Sequence, residues 1–76
     1  MPKLPRIKGK DFIKILNRIG FTLDHIHGSH HIFRNSNGKK ITIPIHGNHE
    51  IPIGTLSGIL TDIDISKEKF ITLLKK

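Results

Sequence analysis

Apolar residues recur along this chain with two periods, and the switches between them mark out its elements. Phe12, Ile15, Leu16 and Ile19 fall at i, i+3, i+4 and i+7. That single stripe predicts a helix from about Lys8 or Gly9 to Ile19. Asp11 suits its first turn and Arg18 its last, as the helix dipole prefers. Gly20 suits the position after the cap. From Phe21 the period drops to two. Residues 21–27, 30–35 and 39–45 read as three strands. In the third, Ile41, Ile43 and Ile45 alternate with Lys40, Thr42 and Pro44. Helical spacing returns with Ile53, Leu56, Leu60 and Ile63, and predicts a helix over residues 53–63. Ser66 is a candidate cap for a last helix over residues 67–74. Residues 1–7, with Pro2 and Pro5, read as a flexible arm. The expected fold is α+β, one domain over residues 1–76. It has the order α-β-β-β-α, an antiparallel three-stranded sheet, and helices on one face.

The turns set an expected register. Gly28-Ser29 and Asn37-Gly38 both read as two-residue hairpin loops. His27 then opposes His30, and His25 opposes Ile32. On the other side Arg34 opposes Ile41, Ile32 opposes Ile43, and His30 opposes Ile45. Cross-strand partners share a face. One face should collect Phe21, Leu23, Ile32, Ile41, Ile43 and Ile45 as core. Phe33 and His31 should fall on the wet face. His25, His27 and His30 should lie at the rim of the core face, near His46 and the start of the second long helix.

Charge narrows the class of partner. Residues 1–46 carry nine Lys and Arg against Asp11 and Asp24, which accounts for the whole formal charge of +7. The remaining residues are balanced. A basic half attracts polyanions by steering and counterion release. A chain of this size buries only about 60% of its unfolded surface. That favours a surface site acting on a polymer over a deep pocket. The absence of cysteine excludes disulfides and suits a reducing cytoplasm. No apolar run is long enough for a bilayer, so no membrane association is expected.

Six histidines are the candidate chemistry. RNA can be cleaved without a metal if one group removes the 2′-OH proton and another protonates the leaving oxygen. An imidazole titrates near neutral pH, at about 6.5, and suits both tasks. His30 is the first candidate and His46 the second. Arg34, Lys39 and Lys40 could hold flanking phosphates. Backbone N–H groups around Gly54 and Thr55 could dock another. Gly28 and Ser29 are explained by turn chemistry and also count as positions close to a bound phosphate. A zinc site is the competing use of the histidines. No HExxH and no helical His-x3-His pair supports it.

Four segments together resemble the HicA family of type II toxin–antitoxin mRNA interferases. They are Gly20-Phe21, His27-Gly28-Ser29-His30-His31-Ile32-Phe33-Arg34, Ile43-Pro44-Ile45-His46-Gly47-Asn48 and Ile53-Gly54-Thr55-Leu56-Ser57-Gly58-Ile59-Leu60. The resemblance implies a fold similar to a double-stranded-RNA-binding domain. It implies an endoribonuclease that cleaves mRNA and inhibits translation, with the family's catalytic histidine at His30. It implies no metal and no cofactor, a monomeric free toxin, and a HicB-type antitoxin that neutralises it. His27 stands where the family often has a basic residue, and the N-terminal arm is longer than usual. Two other readings fit the residues: a non-catalytic RNA-binding module of the same fold, and a subunit whose basic face meets an acidic protein.

Overall fold

The computed structural model describes residues 4–75. Three helices and three strands follow the expected order: α1 (Gly9–Arg18), β1 (Thr22–His27), β2 (His30–Arg34), β3 (Lys40–Pro44), α2 (Ile53–Asp62) and α3 (Lys67–Leu74). The strands form one antiparallel sheet in the order β1-β2-β3. This is the α-β-β-β-α arrangement of a double-stranded-RNA-binding-domain-like fold, with α3 appended.

The predicted helix stripe is the packing surface of α1. Phe12 and Leu16 are fully enclosed, and Ile15 is buried beside them. The core continues through Phe33, Ile41 and Ile43 of the sheet, Leu56, Ile59 and Leu60 of α2, and Phe70 of α3. Phe12 and Phe70 meet edge to face, with ring centroids 5.9 Å apart at 73°. The Arg18 guanidinium donates to the Leu73 carbonyl at 3.1 Å, tying the end of α1 to that of α3. Gly9 explains how closely α1 approaches the sheet. A Cβ there would lie 3.0 Å from the Ile45 side chain.

Of the expected arm, residues 1–3 lie outside the described part. Ile7 is buried, and its carbonyl accepts from the Ile51 N–H at 2.9 Å. Lys8 and Glu50 form an isolated bridge alongside. This segment is therefore anchored to the chain that leads into α2.

The helix ends show why the chain reverses where it does. After α1, Phe21 N–H reaches back to the Leu16 carbonyl at 2.9 Å, and Gly20 N–H to that of Asn17 at 3.3 Å. Gly20 has φ of 96°. These two bonds with a left-handed residue are a Schellman ending. The end of α2 repeats it: Ile65 bonds to Leu60 and Asp64 to Thr61, at 2.9 and 3.2 Å. There the left-handed position holds Asp64, with φ of 59°. The Ser66 hydroxyl accepts from Lys69 N–H at 3.1 Å and caps α3 as its sequence position suggests.

The first hairpin has the expected register, with His27 opposite His30 and His25 opposite Ile32. Gly28 supplies the positive φ, 64°, at the first position of its two-residue turn. The second hairpin differs by one residue. Arg34 opposes Lys40, Ile32 opposes Thr42, and His30 opposes Pro44. Its loop is longer than Asn37-Gly38. Asn35 N–H bonds to the Lys39 carbonyl at 3.1 Å, enclosing Ser36, Asn37 and Gly38. Gly38 is left-handed, with φ of 84°, as three-residue hairpin loops require. The Asn35 side chain secures the loop by accepting from the N–H groups of Asn37 and Lys39, at 3.0 and 2.9 Å.

A slip of one residue moves a whole strand's side chains to the opposite face. Phe33, expected on the wet face, is buried at 1% exposure, while Ile32 is only partly covered on the other side. The core face is thus set by Phe33, Ile41 and Ile43.

The two helix endings lead to opposite expectations for stability. Gly20→Ala should lower it by about 1 kcal/mol, because a Cβ is strained in the left-handed region. Asp64→Gly should raise it by up to about 1 kcal/mol by relieving that strain, offset in part by a freer unfolded chain. Urea denaturation of the two variants measures both signs.

Candidate active site

Behind the core, the sheet shows a second face that no helix covers. Register places His30, Arg34, Lys40 and Thr42 on it, and all four are exposed. Strand β1 joins this face by an irregularity. Leu23 opposes Phe33, yet His25 opposes Ile32, so Asp24 is an extra residue in β1. Such a bulge inverts the alternation beyond it. Leu23 shares the core side with Phe33. His25 and His27 instead share the open side with His30. The expected gathering of three histidines is present, but on the face opposite to the one expected. The cause is the longer second loop: it puts Phe33 on the core side, and the tight first turn carries His25 and His27 with His30 to the other.

His30 therefore points away from the helix layer, and His31 points toward it. This reverses the expected roles of the two faces. The Nδ1 of His31 is enclosed without a hydrogen-bond partner. Gly28 and Ser29 form the turn before His30, and the Ser29 carbonyl accepts from Ile45 N–H at 2.9 Å. That bond brings the continuing chain, and so His46, to the His30 end of the sheet. His46 opens a turn closed by His49 N–H on its carbonyl at 3.0 Å. Gly54 and Thr55 occupy the first turn of α2, in the layer that covers the Phe33 face. The structure does not bring them onto the His30 face.

The two neighbouring lysines part company. Lys39 Nζ bonds to the Asp62 carboxylate at 2.9 Å and clasps the start of β3 to the end of α2. Lys40 lies opposite Arg34 on the open face. Sequence reasoning missed Asp24. Its carboxylate bonds His25 Nδ1 at 3.0 Å and lies 3.7 Å from the Arg34 guanidinium. The hydrogen bond with His25 holds the Asp24 carboxyl below its ordinary value near 3.8. Desolvation opposes this, and Arg34, the His25 charge and Lys40 reinforce it. The sequence holds no local signal for a bulge at this residue.

Among the described residues, no three histidine, aspartate or glutamate side chains converge as metal ligands. Among the described residues, no helix is long and apolar enough to cross a membrane. A cleft of about 500 Å³ lies elsewhere, between α1, the end of α3 and Arg6 to Lys8. None of the sequence-derived candidates lines it.

A small α+β domain with an open, basic, histidine-bearing sheet face is the class that these observations define. Residues 9–65 match the family described as HicA toxin of bacterial toxin-antitoxin. The match covers well over half of the chain, and the chain belongs to that family. Its role is accordingly that of a toxin, and a cognate antitoxin is its partner. Comparison with the curated proteins finds no match.

Asp24 should titrate below the ordinary value of an aspartate in the folded chain. A depressed carboxyl contributes stability that is in place above its ordinary value and is lost as pH falls through the folded value. Carboxyl NMR titration should show Asp24 returning toward its ordinary value in His25→Ala, and by less in Arg34→Ala.

Proposed function

We propose that the open sheet face is an endoribonuclease site for mRNA, with His30 as an essential proton-transfer group. The observation that carries this reading is the exposure of His30 on an uncovered face that also bears Arg34 and Lys40. A polymer can lie across such a face, whereas it could not enter the helix side. The imidazole removes the proton from a ribose 2′-OH, and the O2′ attacks the adjacent phosphorus. The P–O5′ bond breaks as the new P–O2′ bond forms, leaving a 2′,3′-cyclic phosphate and a 5′-OH. Arg34 and Lys40 neutralise charge on the backbone and on the pentavalent transition state. Gly28 and Ser29 allow a phosphate close to the turn. Lys39, engaged with Asp62, has a smaller part. Neither step calls on a cofactor. A HicB-type antitoxin that covers this face would block RNA and so neutralise the toxin.

His30→Ala should fold normally, abolish growth inhibition and leave an RNA oligonucleotide intact. Cleavage at the wild-type rate by purified His30→Ala overturns the assignment. Binding of RNA by the wild type without any fragments would instead favour a non-catalytic module.

The cations have a separate signature. Each phosphate contact adds roughly 0.7 to the slope of log affinity against log salt on a single strand. Arg34→Ala and Lys40→Ala should each reduce that slope by about this amount. Lys39→Ala should reduce it less. Fluorescence anisotropy with a labelled RNA at several salt concentrations makes the comparison.

A further inference from the structure

We infer that His25, held by Asp24, is the second proton-transfer group of the open face. This rests on the proposed RNA cleavage and adds the group that protonates the leaving oxygen. The placement follows from the register. His25 opposes Ile32, so its diagonal neighbours on β2 are His30 and Arg34. Diagonal neighbours across a sheet lie about 7–8 Å apart. Two imidazoles at that spacing can flank one phosphodiester, one at the attacking oxygen and one at the leaving oxygen.

The two-residue turn at Gly28-Ser29 fixes His25 opposite Ile32 and so on the open face, while the bulge leaves Asp24 unpaired beside it and returns Leu23 to the side of Phe33. Asp24 also supplies the orientation. An ionised carboxylate can only accept a hydrogen bond, so the proton between the two groups sits on His25 Nδ1, 3.0 Å from Asp24. This leaves Nε2 as the atom available to substrate. The Arg34 guanidinium, 3.7 Å away, steadies the carboxylate from β2. An aspartate that fixes tautomer and ring position in this way is a positioning residue. The charged or titratable groups that share the open face with His25 are Asp24, Arg34, His27, His30 and Lys40, all from the sheet itself. His46, the alternative second group, makes no side-chain hydrogen bond among the described residues.

The step balances. His30 accepts the 2′-OH proton as O2′ bonds to phosphorus. The P–O5′ electron pair leaves with O5′ and takes the proton from Nε2 of the His25 imidazolium. Solvent later returns both rings to their starting states.

The test uses the full chain and two RNA oligonucleotides of one sequence. One has an ordinary linkage. The other has sulfur in place of O5′ at the scissile bond, and a thiolate leaves without an acid. His25→Gln should slow cleavage of the ordinary RNA by about 10²-fold or more, and should cleave the sulfur-linked RNA within a few-fold of wild type. His30→Ala should be impaired on both. Asp24→Asn should shift the limb of the pH–rate profile that His25→Gln removes. Exposed on a strand, His25→Gln should keep the wild-type fold by circular dichroism. Equal rates for wild type and His25→Gln on ordinary RNA overturn the assignment of His25 alone. An equal loss on both RNAs overturns it too. A wild type that cuts neither RNA overturns the cleavage reading and this inference with it.

Discussion

A β-strand presents its side chains alternately to two faces, and a sheet covered on one side only turns that alternation into a choice between core and solvent. Here the choice is made at two places. The left-handed Gly38 lengthens the second hairpin loop and sets β3 against β2. The extra residue Asp24 then reverses the outer half of β1. With these in place Phe33, Ile41 and Ile43 join α1 and α2 in the core, and His25, His27, His30, Arg34 and Lys40 share the opposite side. The open face follows from the first of these departures from simple pairing, and the placing of Asp24 and Leu23 from the second.

Features encoded by neighbouring residues were legible in the sequence. The α1 stripe, the ending at Gly20, the Ser66 cap and the two-residue turn at Gly28-Ser29 all need only a few adjacent positions. The register of β3 was not legible, because Asn37-Gly38 fits a two-residue loop as well as the three-residue loop that forms. The hydrogen bonds to the Asn35 side chain tip that balance, and Asn35 reads locally as the end of a strand. Ile32 and Phe33 are both apolar, so hydrophobicity could not reveal the slip. The bulge at Asp24 was less visible still. It brings Leu23 opposite Phe33 while His25 stays opposite Ile32, a pairing that depends on residues ten positions away.

For the site, the sequence named His30, Arg34 and Lys40 together, and the structure puts them on one face. The sequence could not show that Lys39 turns to Asp62, since the partner lies far along the chain. Nor could it separate the helix layer that holds Gly54 and Thr55 from the face that holds His30. The family match places the chain among toxins, and the open face is the side that carries the proposed site.

The bulge has a consequence for the edge of the sheet as well. Strand β1 is an outer strand of the sheet, exposed along its whole length, with Leu23 and Ile26 uncovered at its margin. Such an edge invites another strand to add to it. Asp24 interrupts its pairing pattern near the middle and places a charge there. Asp24, unpaired in the bulge, therefore breaks the edge that Leu23 and Ile26 would otherwise offer to an added strand.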